Sequence, residues 1–183
     1  TADIFAKAMI QASKTASLAQ RVPDVFGGWE AKLYINNFGA TPGTTAVSGM
    51  LIDWDVTIKN NLGRKYTADN TLNASAIVVG ETEVNAKITF EASPASALTE
   101  YNNWDAATKR LVRLEFGNNK AIPSGSLKET VKVDLPGAWT AVDLGGNDQG
   151  TRVYQMSLQA IYDPTNAFGV QIIVVTARAT AWA

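Results

Sequence analysis

Asp53 and Asp55 flank Trp54, and Glu81 and Glu83 repeat the same spacing. On a strand, positions i and i+2 share one face, roughly 6 to 7 Å apart at the backbone. Strand-borne acid pairs of this kind serve β-sandwich glycosidases, where the separation decides between retention and inversion. Such a pair needs one acid in an apolar setting that raises its pKa. Thr57 and Lys59 continue the Asp53/Asp55 face and point to solvent, so an ordinary wet face explains the pair better. The 183 residues include no histidine and no cysteine. The commonest general base, the commonest metal ligand, thiolate chemistry, disulfides and cysteine zinc sites are thereby removed. An enzyme built on this chain would have to rely on carboxylates, lysine or tyrosine.

The remaining candidates are weaker. Gly145 to Gly150 contains Asn147 and Asp148, a possible calcium loop. It lacks the spaced oxygen ligands and closing glutamate of an EF-hand, and turn chemistry accounts for it nearly as well. No Gly-Lys-Ser/Thr follows to make it a phosphate loop. Trp29, Trp54, Trp104, Trp139 and Trp182 would suit a sugar platform, but three fall on strand faces shared with aliphatic residues, which favours core. Asn73-Ala74-Ser75 is a glycosylation sequon only in a secreted eukaryotic chain. A formal net charge of -1 and a pI near 5.4 give no general attraction for nucleic acid. With 46% hydrophobic and 18% charged residues the chain is globular, and no apolar run reaches the roughly 18 residues that span a bilayer. Thr1 to Ile10, interrupted by Lys7, is no clear secretory signal.

Strand alternation dominates the elements that must carry these residues. Met50, Ile52, Trp54, Val56 and Ile58 alternate with mostly polar neighbours. So do Val84, Ala86, Ile88 and Phe90, and again Tyr154, Met156, Leu158, Ala160 and Tyr162. Long strands with one wet face suggest a surface built for shape rather than reactivity. Residues 1–28 read as an N-terminal arm with a helical portion, ended by Pro23 and Gly27-Gly28, and 29–183 as the folded domain. A first strand follows from Trp29 to Ile35 and a long second one from Val47 to Asn60. Asn60 to Asn73 is polar and without period, a long loop. A third strand region runs from Ser75 to Glu91, bent near Gly80. Ser93-Pro94 opens a helix whose Ala95, Leu98, Tyr101 and Trp104 share a face, ending near Thr108. Leu111 to Phe116, Leu127 to Leu135 and Trp139 to Leu144 read as shorter strands divided by Gly117-Asn118-Asn119 and Pro136-Gly137. Thr151 to Tyr162 and Phe168 to Trp182 form a closing hairpin about Asp163-Pro164-Thr165-Asn166. The fold class is mainly β, a sandwich or barrel with one flanking α-helix.

Val47-Ser48-Gly49-Met50 running into Trp54-Asp55-Val56-Thr57-Ile58-Lys59-Asn60-Asn61 carries a resemblance, followed by the polar loop and Val79-Gly80-Glu81-Thr82-Glu83 opening a strand to Phe90-Glu91. With the helix around Tyr101 to Thr108 and the closing strands, the chain resembles a tail tube (major tail) protein of a long-tailed bacteriophage over most of Trp29 to Trp182. The resemblance implies a structural virion protein, not an enzyme and without cofactor or metal. It implies six copies per ring and rings stacked into a tube, the conduit for DNA ejection. Implied partners are further copies of the chain, a tape measure protein and a tail terminator, with DNA passing unbound and no membrane involved. The implied place is the phage tail, assembled in the host cytoplasm. The arm before Trp29 departs from the simplest members.

Long strands with one polar face can join across subunits and close a ring-wide inner β-barrel, removing exposed edges. Alternation then makes Asp53, Asp55, Thr57, Lys59, Glu83, Asn85, Lys87, Glu91, Gln155, Ser157 and Gln159 the lumen-facing set. Met50, Trp54, Ile88, Phe90, Met156 and Leu158 fall on the sandwich side. The Asn60 to Asn73 loop, with Leu62, Arg64, Lys65, Tyr66, Asp69 and Leu72, is the expected contact between stacked rings. The rival reading is a β-sandwich carbohydrate-binding module or glycosidase using Asp53/Asp55; a third is a pilin-like or capsid-decorating domain.

Overall fold

A computed structural model describes residues 26–68, 74–92, 95–122 and 127–176. They fall into two compact units, the smaller spanning Ile58–Glu83 and the larger holding the chain on either side of it. The expected N-terminal arm before residue 26, the Ser93-Pro94 cap, Asn73 of the sequon, Asp69, Leu72 and Trp182 lie outside the described residues. No helix among the described residues is long and apolar enough to cross a membrane.

The described residues are mainly β with one α-helix. In order, they form β1 (Ala31–Asn37), β2 (Ala46–Val47), β3 (Leu51–Lys59), β4 (Leu62–Lys65), β5 (Ala76–Val79), β6 (Glu83–Glu91), α1 (Ala95–Asp105), β7 (Arg110–Ala121), β8 (Lys128–Asp148), β9 (Thr151–Ala160) and β10 (Gln171–Val175). Eight strands make one hydrogen-bonded sheet in the order β2-β1-β7-β8-β9-β6-β3, with β10 attached to β8.

The folding over of that sheet depends on β8. Its first part pairs with β7, from Thr130↔Gly117 to Gly137↔Arg110, and with β10 on the other side over Thr130 to Asp134. From Gly137 onward it pairs with β9 instead. One 21-residue strand therefore serves both layers of a sandwich. Pro136-Gly137, expected as a break between two strands, is instead the point of exchange. A Cβ on Gly137 would lie 2.3 Å from the Gln159 carbonyl oxygen, so only glycine lets the two backbones approach this closely. Further on, β8 bulges at Trp139/Ala141 and Asp143/Gly146. The Gly145 to Gly150 segment is mostly strand; only Gln149-Gly150 turns, both with positive φ (47° and 90°), as a two-residue hairpin between Asp148 and Thr151 requires.

Among the described residues the expected closing hairpin is reduced to one antiparallel bridge, Asp163↔Phe168, across its turn. Beyond that bridge, β9 pairs with β8 and β6 and β10 pairs with β8, so among the described residues the two do not pair with each other. Asp163, fully buried, dictates the connection. Its carboxylate accepts hydrogen bonds from the backbone N–H of Gly39, Thr165 and Asn166 and from Asn166 Nδ2, at 2.8 to 3.4 Å. Asn166 Nδ2 also donates to the Ala40 carbonyl, which ties this turn to the loop after β1.

The core sits between the layers. Leu33, Ile35, Val112, Leu114, Val133 and Leu135 come from one layer; Val84, Ala86, Ile88, Phe90, Trp139, Met156 and Leu158 come from the other. Trp54 of β3 meets Phe116 of β7 across the gap, ring centroids 4.8 Å apart. Each large side chain buried here contributes roughly 1.5–3 kcal/mol. Two expected boundaries shift. Trp29 stands in a 3-10 turn (Gly28–Glu30) before β1 and is 84% exposed rather than in the core. The second strand breaks at Ser48-Gly49, where Gly49 has a φ of 67°.

The helix buries a different face from the one its apolar spacing suggests. Ala97 and Glu100 are buried, Tyr101 and Trp104 half-buried, while Ala95 and Leu98 are exposed. Glu100 explains the rotation. It receives Arg110 Nη2 at 2.8 Å and Nε at 3.1 Å, Trp139 Nε1 at 3.0 Å and Asn103 Nδ2 at 3.2 Å. Arg110 also donates to Asn37 Oδ1, so one buried network links helix, β1, β7 and β8. The helix ends where Ala107 takes a φ of 51°, with Thr108 N donating to Asn103 O and Ala107 N to Trp104 O, the paired bonds of a Schellman stop.

Among the described residues the smaller unit is a two-stranded antiparallel ribbon. β4 and β5 pair from Leu62↔Val79 to Lys65↔Ala76. This corrects the expected structureless loop from Asn60 to Asn73: its first third is a strand. Asn61 Nδ2 donates to the Glu81 carbonyl and Gly80 N to the Asn61 carbonyl, closing the base of the hairpin.

Candidate functional site: a polar sheet face

The layer β8-β9-β6-β3 presents one face to the core and the other to solvent. Along β6, Val84, Ala86, Ile88 and Phe90 are buried while Asn85 and Lys87 are exposed and Thr89 and Glu91 half-buried. Pairing carries the same division to the neighbouring strand. Asn85 stands opposite Gln159, Lys87 opposite Ser157 and Thr89 opposite Gln155. On the inner side Ala86 faces Leu158, Ile88 faces Met156 and Phe90 faces Tyr154. Asp53, Asp55 and Thr57 of β3 are exposed as well. Met50, Ile88, Phe90, Met156 and Leu158 are buried, and Trp54 is half-buried against the core.

Asp55, Thr57, Asn85, Lys87 and Ser157 surround a shallow depression of about 400 Å³ on this polar face. Thr57 Oγ1 donates to Asp55 Oδ1 at 3.2 Å. Three strands thus place the predicted residues side by side. Lys59 and Glu83, at the ends of β3 and β6, are exposed and belong to the smaller unit. So do Leu62, Arg64, Lys65 and Tyr66, all exposed.

The Asp53/Asp55 pair on this face is not set up as an acid–base pair. Asp53 and Asp55 are both in solvent, without the apolar surroundings that a general acid needs. No cluster of three metal-ligating side chains occurs among the described residues. Sequence reasoning missed the fourth strand of the face: Ala141 opposite Ser157 and Asp143 opposite Gln155. The bulges of β8 hide its alternation, so no simple period marks them. It also missed the buried ion pairs. Arg113 forks onto Asp134 with contacts of 2.5 and 2.7 Å, and that hydrogen bond, against the opposing effect of burial, raises the guanidinium pKa. A cross-strand pair (Arg113↔Asp134) has no local signature when its partners lie 21 residues apart.

No protein-family model and no curated protein matches the chain. Solved structures do. A chain of the extended-state sheath–tube complex of an extracellular contractile injection system (PVC) is similar with a TM-score of 0.51 and 13% identity, over 82% of this chain and 93% of that one. The SPP1 tail tube is similar with a TM-score of 0.53 and 10% identity, over 74% and 75%. The extended-state PVC sheath/tube terminator is similar with a TM-score of 0.50 and 11% identity, over 87% and 100%. The fold is that of tail tube proteins.

Proposed function

We propose that the chain is a structural subunit that self-assembles into rings, six copies each, stacked into the tail tube of a bacteriophage and forming the conduit for DNA ejection. One observation carries this reading: a single layer has a solvated polar face and two edge strands without partners. β3 pairs only with β6, and residues 138–148 of β8 pair only with β9, among the described residues. An open edge of this length invites aggregation unless another chain covers it. Joining one copy's β3 to the next copy's β8 repeats the layer around a ring and closes a barrel.

The polar face then lines the lumen with Asp53, Asp55, Thr57, Asn85, Lys87, Glu91, Gln155, Ser157 and Gln159, and with Lys59 and Glu83 at the strand ends. Acids outnumber lysines in that set, so DNA phosphates would be repelled weakly rather than gripped. The β4–β5 hairpin, through Leu62, Arg64, Lys65 and Tyr66 and the adjoining Asp69 and Leu72, serves as the contact between rings. It exposes Ile77, Val78 and Val79 at 44%, 53% and 72%, and a two-stranded ribbon has little stability alone. A tape measure protein inside the tube and a terminator at its end complete the partners; neither enzyme activity nor a cofactor is invoked. Assembly takes place in the host cytoplasm and the product resides in the virion tail. Shortening the hairpin to a few glycines should leave folded rings that no longer stack, as seen by electron microscopy. Normal tubes from that variant would remove the hairpin from this role.

A further inference from the structure

The larger unit has a cleft of about 620 Å³ where β1 and β2 of one layer part from β3 of the other. Leu33, Val47, Ile52 and Trp54 line it, with Trp29 at its rim. The sandwich is unfinished here. Ile52 lies on the inner side of β3, by alternation with Asp53, yet it is 41% exposed, and Trp29 is 84% exposed. At the opposite edge of the same layer, β8 has the matching defect. Val142 faces inward, opposite Met156, while Asp143 faces outward, opposite Gln155. Leu144 follows inside the Asp143/Gly146 bulge, where it and Gly145 together stand against Tyr154 of the inner row, and it is 47% exposed.

We infer that this cleft is the seat of a second copy's β8, whose Val142 and Leu144 cover Ile52, Leu33 and Trp29 when the strand is added to the β3 edge. The inference rests on the ring reading above and names the contact that would make the ring specific. Parity is what carries it. Adding a strand to an edge keeps its faces, so inward residues of the incoming strand must continue the inward row of the receiving one. Both open edges of this layer carry an uncovered apolar side chain on that inner row, and the receiving edge has a cavity behind it. Backbone hydrogen bonds would supply the register, and the filled cleft would discriminate this strand from any other edge.

The absence of cysteine makes the test clean. Ile52→Cys and Leu144→Cys are introduced into one chain, with Ile52→Cys/Val142→Cys as a second register. Within a single copy the two positions are three strand spacings apart, about 14 Å, beyond the roughly 7 Å Cα limit of a disulfide. Oxidation of assembled protein should give a covalent ladder up to the ring, while each single-cysteine variant stops at dimers. Ile52→Glu should leave the melting temperature within a few degrees of the parent and reduce assembly at least tenfold. Rings without a ladder in either register, or Ile52→Glu rings at parental yield, would overturn the cleft assignment alone. Failure of the parent protein to form rings would overturn the ring reading together with it.

Discussion

Strands β5 and β6 are close in sequence and opposite in character. β5, Ala-Ile-Val-Val, is the more apolar, yet all four of its residues are exposed. β6 is half polar, yet every second residue is buried, with Ile88 and Phe90 fully so. Apolar content alone therefore does not make core. β6 alternates at the pleat's period and has layers to pack against, whereas β5, among the described residues, has one partner strand and no opposing layer. The apolar row of β6 is covered within one copy of the chain. A ribbon of exposed valines and isoleucine is better explained by something that covers it later.

That contrast can be broken deliberately. Phe90→Ala removes a fully buried ring that meets Trp139 edge-on at 5.9 Å, and should destabilise the monomer by about 3–5 kcal/mol. Chemical denaturation monitored by circular dichroism measures it. Glu100→Ala should cost a similar ~3–5 kcal/mol, because Arg110 would remain buried without its carboxylate. A Glu100→Ala/Arg110→Met double variant should recover part of that loss. A loss confined to the helix would show that the network merely tethers α1.

Acid sharpens the comparison further. Burial works to raise the Asp163 pKa, but the hydrogen bonds from Asn166, Thr165 and Gly39 outweigh it, and the net effect lowers it below the ordinary 3.8. The folded state therefore favours the ionised form. Its stabilising contribution is complete above the unfolded pKa and is lost as pH falls through the folded value. Stability of the sandwich should fall with pH below about 4, whereas Asp163→Asn should be weaker at neutral pH and show a flatter acid limb. Thermal melts between neutral pH and pH 2 decide this. The smallest effect belongs to the hairpin: Val78→Ser should change monomer stability by no more than about 0.5 kcal/mol. The same change should slow tube growth visibly in light scattering, since Val78 is half exposed on a surface proposed to meet another ring.

The strands that pack a regular face were legible in the sequence. Alternation in 84–90 separates buried from more exposed residues, and the helix appears where its spacing puts it; in 154–162 it places Met156 and Leu158 in the core but fails at the ends, where Val153 is buried and Tyr162 is exposed. The errors have physical causes. Pro136-Gly137 carries the composition of a turn, but in β8 it marks a change of partner, which depends on Gln159 from a later strand. Glu100 looks like a solvent residue until Arg110 and Trp139 fold around it. The hairpin was hidden because Leu62 to Lys65 includes glycine and two cations, and its partner strand was absorbed into the run ending at Glu91. Asp163-Pro164 does make the expected turn, closed by the Asp163↔Phe168 bridge, but the carboxylate also ties that turn to the loop after β1 and the pairing goes no further.

Negative-stain electron microscopy of the purified chain across a concentration series, paired with sedimentation velocity, tests the central claim most directly. The account predicts closed rings of a single size, stacking into tubes of constant diameter as concentration rises, without nucleic acid or any added cofactor. A protein that sediments as a folded monomer at every concentration, with the β3 and β8 edges still unpaired, would contradict it.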